Sequence, residues 1–199
     1  MKARTSQILL VFSAFLAGLV LFIGVILFAT GNLSSIGGPG PSAIGGPFKL
    51  IDQNGKSFTD QDMKGRPFLV FFGYTHCPDV CPTTLFELSE VFHALGPDAN
   101  RITGLFITVD PDRDTPAVMK DYLSSFDPHL RGATGTPAEL AQVENGYRVY
   151  AKKVPTGKGD YSMDHSALVY LMDKQGRFVA PFDLKRKPQA AADALRKYL

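Results

Sequence analysis

The run Pro67-Phe68-Leu69-Val70-Phe71-Phe72 is apolar throughout, which suits a strand buried on both faces. It passes directly into Gly73-Tyr74-Thr75-His76-Cys77-Pro78-Asp79-Val80-Cys81-Pro82. An amphipathic segment follows, with Leu85, Leu88, Phe92 and Leu95 at spacings of three and four. Pro82 suits the first turn of that helix, and Gly96-Pro97 stops it. A buried strand that turns into a helix fixes a β-α unit. The only two cysteines of the chain lie at its turn.

The rest of the chain fills in around this unit. Phe48 to Ile51 and Lys56 to Phe58 flank Asn54-Gly55, a short hairpin signal. Ile102 to Val109 reads as a second core strand. Thr115-Pro116 opens a helix that is expected to turn Val118, Tyr122 and Leu123 inward. Thr136-Pro137-Ala138-Glu139 is a capping box, followed by Leu140, Val143 and Tyr147. Arg148 to Val154 reads as a short extended piece and Pro155 to Asp160 as an exposed loop. Ala167 to Met172 and Phe178 to Phe182 form a hairpin around Asp173–Arg177, and a last helix spans Pro188 to Tyr198. Strand, helix, strand, helix, hairpin, helix is the order of the thioredoxin fold. The expected class is therefore α/β: a central mixed β-sheet flanked by helices, with an N-terminal β-hairpin. The helix around Glu139 and the segment after it form an insertion before the last two core strands.

The N-terminus is of another kind. Lys2 and Arg4 precede an apolar run from Ile8 to Ala29, interrupted by Ser13. As a helix this run reaches about 30 Å, the thickness of a bilayer's hydrocarbon core. The h-region of a cleaved signal peptide is only about 7–15 residues long. An uncleaved transmembrane signal anchor over residues 1–30 is expected, with cleavage as the alternative. The positive-inside rule puts Lys2 and Arg4 in the cytoplasm and the rest of the chain outside. Residues 31–46 are uncharged and rich in Gly, Pro and Ser, the composition of a tether. The folded domain is then 47–199. A net charge of +2, with both signs interspersed, gives no basic block and no case for nucleic acid.

Outside the cytoplasm, two thiols four residues apart have three uses: a staple, a disulfide-exchange pair, or a soft-metal site. A staple across so small a loop contributes roughly 2 kcal/mol in the chain-entropy model, and a domain with 15 Phe does not need it. The helix N-terminus favours thiolate, the form needed for exchange and for metal. Two thiolates and an imidazole would suit copper, especially Cu(I), whereas a structural zinc wants four ligands. Of the four histidines, His93 lies mid-helix among surface positions and His129 in a turn. His76 adjoins Cys77, but adjacent side chains diverge. His165 directly precedes the strand at Ala167. In a thioredoxin-like sheet that strand runs antiparallel beside the one ending at Phe72, which brings His165 toward Cys77 and Cys81. On the residues alone, His165 is either a third donor or an ordinary hydrogen-bonded histidine.

Several stretches together resemble the Sco/SenC family. They are the Gly73–Pro82 run, Thr108-Val109-Asp110-Pro111-Asp112-Arg113-Asp114-Thr115-Pro116, Tyr147-Arg148-Val149-Tyr150, and Asp164-His165-Ser166. The resemblance covers roughly Gly46 to the C-terminus. It implies a membrane-anchored, thioredoxin-like copper protein of cytochrome c oxidase assembly. The family's copper ligands fall on Cys77, Cys81 and His165, for one Cu(I) or Cu(II) per chain. The implied partner is oxidase subunit II, whose binuclear copper centre receives copper or has its cysteines reduced by the redox-active Cys77–Cys81 pair. Other periplasmic copper carriers and thiol reductants are implied as further partners. The implied location is the inner membrane, single-pass, with the domain on the periplasmic side. Asp79 is either a carboxylate that tunes the site or an exposed turn residue. Asp110 and Asp114 match a family stretch, and Asp114 also suits the helix N-terminus after it.

Overall fold

The computed structural model describes residues 2–29, 44–157 and 159–199. The chain divides into two units, Met1–Pro41 and Ser42–Leu199. The first holds helix α1, Lys2–Ala29. Its side chains are described for residues 12–26, and all of these are exposed. Among the described residues no helix is long and apolar enough to cross a membrane. The expected span over residues 1–30 lies in part outside them, and so does most of the expected tether, at residues 31–43.

The second unit is built on a seven-stranded mixed sheet. Its strands are β1 (Lys49–Asp52), β2 (Ser57–Thr59), β3 (Phe68–Gly73), β4 (Thr103–Thr108), β5 (Leu130–Thr134), β8 (Val169–Met172) and β9 (Phe178–Pro181). They lie in the order β2-β1-β5-β4-β3-β8-β9. β3, β4 and β5 are parallel, while β8 runs antiparallel to β3, with Phe71 opposite Val169. Every residue of β3 and β4 is buried, as the unbroken apolar run requires of central strands. The N-terminal hairpin forms as expected. Asp52 Oδ1 accepts from the amides of Asn54 and Lys56, and Gly55 takes the positive φ that the turn needs.

Four helices complete the unit: α2 (Val80–Leu95), α3 (Pro116–Leu123), α4 (Pro137–Tyr147) and α5 (Pro188–Arg196). α2 packs along α5, whose Ala191, Ala192 and Leu195 are buried, and α3 packs against β5. The Leu85, Leu88, Phe92 and Leu95 stripe faces the core. The α2 helix begins two residues before Pro82, which occupies the third helical position; its missing N–H is one that no helix would pair there anyway. The Thr136–Glu139 capping box is formed on both sides.

Three expectations are corrected. Val118 is exposed, and α3 buries Met119 and Leu123 with Tyr122 half-covered, because the face toward β5 lies one residue further along the helix. Pro155 to Asp160 is not a free loop. β6 (Ala151–Gly157) pairs antiparallel with β7 (Asp160–His165), and the strands reach into that stretch. β5 was not expected at all, and it sits between β4 and β1. The hairpin β6–β7 together with α4 is the insertion before β8 and β9, and among the described residues its two strands pair only with each other.

Candidate metal centre

The strand-to-helix turn delivers the thiols. β3 ends at Gly73, six residues of loop follow, and Cys77 precedes α2 while Cys81 lies in its first turn. A Cβ at Gly73 would stand 2.7 Å from Cys81 Sγ and 2.8 Å from Phe106, so this strand end passes against the sulfur with no room to spare. Cys81 is fully buried; Cys77 is half-exposed, and both are free thiols. The Cys81 amide donates to Cys77 Sγ at 3.4 Å. The helix N-terminus thus acts on Cys77, the accessible sulfur. Burial dominates at Cys81 and pushes its thiol pKa well above the ordinary range, although the Tyr74 backbone opposes this.

His165 is the last residue of β7, and the chain then enters β8 beside β3. Its Nε2 lies 3.5 Å from Cys81 Sγ. Its Nδ1 lies 3.1 Å from the Ser166 carbonyl oxygen, which can only accept. Nδ1 therefore carries the proton, and Nε2 presents its lone pair to the sulfurs. The ring stands edge-on to Tyr74, with centroids 5.7 Å apart, and near Phe71 at 6.4 Å. The donor atoms of Cys77, Cys81 and His165 all lie within 4.8 Å of one another. Two sulfurs and an imidazole nitrogen form a soft donor set that fits copper.

The other histidines stay apart from this cluster. His93 is exposed. His129 is held by Asp127 at 2.7 Å and Asn100 at 3.2 Å, and stacks on Phe92. His76 is exposed and points to Thr75 Oγ1 at 3.1 Å. Asp79 is the exposed N-cap residue of α2, but its side chain makes no capping bond to the helix amides and accepts only from the Thr83 hydroxyl, at 3.5 Å. Asp114, in contrast, is completely buried. It accepts from the Thr75 amide at 3.0 Å and from the hydroxyls of Thr75 and Thr108, each at 2.6 Å. Burial raises its pKa, and these bonds oppose the rise. It ties the loop that leads to Cys77 to the end of β4, a role well beyond capping α3. Tyr74, Arg113 and Tyr161 also surround the site. Sequence reasoning did not single them out, although all three fall within or beside the stretches that carry the family resemblance.

The fold and the site define a thioredoxin-like domain that holds a dithiol and an imidazole together as a soft-metal site. The sequence model of the SCO1/SenC family matches residues 37–199. The chain belongs to the SCO1/SenC family. The SCO2-like protein of Rickettsia felis is 39% identical over 155 residues, 77% of this chain and 76% of that protein. Among solved structures, Bradyrhizobium japonicum ScoI with copper bound is 67% identical. It superposes with a TM-score of 0.77 over 78% of this chain and 99% of that one. Yeast Sco1 with copper bound is 38% identical, with a TM-score of 0.73 over 79% of this chain and 88% of that one.

Proposed function

We propose that the chain is a membrane-anchored copper metallochaperone. Cys77, Cys81 and His165 bind one copper ion as cargo for the binuclear copper centre of cytochrome c oxidase subunit II. The observation that carries this reading is the three-donor cluster, with all donor atoms within 4.8 Å, in a chain similar to copper-bound Sco proteins. Residues 1–30 anchor the chain in the inner membrane, 31–46 tether it, and 47–199 carry the cargo on the periplasmic side. The exposed apolar side chains of α1, such as Phe12, Phe15 and Leu21, suit a lipid environment.

The chain's own groups prepare the site for loading. Nδ1–H donates to the Ser166 carbonyl, which fixes the ring and leaves His165 Nε2 turned toward the sulfurs. The thiols must lose theirs, so loading releases protons and strengthens as pH rises. Burial holds the Cys81 proton past the ordinary thiol range, and that proton leaves when copper enters. Cys77, half-exposed, is the sulfur a partner reaches first.

A strain lacking the protein is expected to lose the oxidase copper centre and to regain it with added copper or wild-type protein, but not with Cys77→Ser. A normal copper centre in the deletion strain contradicts the reading.

The same geometry favours a second reading, thiol–disulfide exchange on the cysteines of subunit II before metal enters. An accessible Cys77 backed by a buried Cys81 is the arrangement of an attacking and a resolving thiol. The two readings are compatible, because oxidising the pair removes both thiolates from the metal. A reductase alone keeps its exchange rate in His165→Ala. Loss of exchange in that variant argues against a metal-independent reductase.

A further inference from the structure

The most extensively bonded polar cluster near the site contains none of the three donors. Asp110 is fully buried, two residues past the end of β4. It accepts from Arg113 Nε and, at 2.8 Å, from the Tyr161 hydroxyl. Arg113 Nη1 donates to the Tyr161 carbonyl at 3.0 Å and reaches the Asp160 carboxylate at 3.4 Å. The guanidinium lies over the Tyr161 ring, 3.9 Å from its centroid, and faces the Tyr74 ring at 5.7 Å. Tyr74 is the ring that stands edge-on to His165. On the outer side, Lys153 of β6 pairs with Asp112 and lies over the other part of Tyr161, 4.6 Å from the centroid.

This cluster joins two parts of the domain that no strand pairing joins. Asp110 and Arg113 belong to the loop between β4 and α3, which is rooted in the central sheet. Tyr161 and His165 belong to β7, which among the described residues pairs as a strand with β6 alone. A hairpin that pairs only with itself must be located by side chains. Burying the Asp110 carboxylate is costly unless it is paired, so the ion pair with Arg113 is a fixed point. The planar guanidinium donates in several directions at once, and lysine cannot reproduce that fork.

We propose that Arg113 is the positioning residue for His165. Anchored on Asp110, it grips Tyr161 and backs Tyr74, and so sets the hairpin at the height where His165 Nε2 meets Cys81 Sγ. In its consequence for metal, this inference rests on the copper reading above; in its consequence for the imidazole it does not.

The test uses the purified full chain, reduced, as wild type, Arg113→Gln, His165→Ala and the double variant. The first readout is Cu(I) affinity by chelator competition. Arg113→Gln is expected to weaken binding about 10–100-fold, as loss of a group that orients a ligand does. The double variant is expected to bind no more weakly than His165→Ala alone, because Arg113 acts through that imidazole. Losses that simply add overturn the proposal. The second readout needs no copper: the imidazole proton resonances of His165, displaced by the Tyr74 ring, are expected to move toward those of a free histidine in Arg113→Gln. Unchanged resonances overturn it. If His165→Ala binds Cu(I) like wild type, the three-donor reading fails by itself, and the resonances alone decide on Arg113. If Arg113→Gln does not fold by circular dichroism, Tyr161→Phe takes its place in both readouts. That variant removes one hydroxyl and is expected to weaken binding about 2–10-fold, in the same non-additive way.

Discussion

The two halves of the site are held by different physics. The thiols hang from β3 and α2, at the centre of the sheet, where Phe71, Phe72 and Phe106 are almost wholly excluded from solvent. The imidazole hangs from β7, in a hairpin whose other strand is exposed along nearly its whole length. Burial locates the sulfurs, whereas a few polar and aromatic contacts locate the ring. A core change should therefore cost stability first and metal second. A hairpin change should cost metal with little loss of stability.

The sharpest way to break this contrast is Phe106→Ala. Phe106 is 0% exposed, and its removal is expected to cost about 3–5 kcal/mol in chemical denaturation. If Tyr161→Phe costs as much, the hairpin is part of the core and the contrast fails. Next comes Gly73→Ala. Its new methyl meets Cys81 Sγ and Phe106, both closer than 3 Å, and a cost of about 1–3 kcal/mol is expected. Because the sulfur is one of the crowded atoms, metal affinity should fall with stability in this variant alone. Unchanged affinity would show that the sulfur relaxes freely.

A smaller effect concerns the groove between α4 and the hairpin, which is lined by Glu144, Ala151, Lys152, Lys153 and Met163. Burial raises the Glu144 carboxyl from 4.5 to about 7. Between those values the folded chain keeps a proton that the unfolded chain has released, so stability present below pH 4.5 is lost as pH rises to about 7. Since the side chain is partly solvated, the loss is on the order of 1 kcal/mol. Glu144→Gln should flatten this part of the stability–pH curve, and an unchanged slope would place the effect elsewhere. The smallest effect is a control. Thr136→Ala removes one side of the α4 capping box and is expected to cost about 0.5–1 kcal/mol, with copper affinity untouched.

Legibility from sequence divides along the same line. The β3–α2 unit could be read because an apolar run, a proline and a three-four stripe are local signals, and β8 beside β3 then brought His165 to the thiols. β5 escaped because Leu130-Arg131-Gly132-Ala133-Thr134 has no long apolar run; its place between β4 and β1 makes it a strand. β6 could be read only in part, as the extended piece Arg148 to Val154, and β7 escaped, because Pro155, Gly157 and Gly159 read as a loop; only the pairing of Ala151 with His165 and Lys153 with Met163 reveals the hairpin. Asp114 read as a helix-start residue because its partner Thr75 is 39 positions away. Arg113 and Tyr161, 48 positions apart, gave no local signal of their contact.

The most direct test of the joint site is copper content and Cu(I) affinity measured on reduced wild type, oxidised wild type and reduced His165→Ala. One copper per reduced chain is expected, with little in the oxidised chain and markedly weaker binding in His165→Ala. Equal affinity with and without the imidazole would contradict a site assembled from both regions.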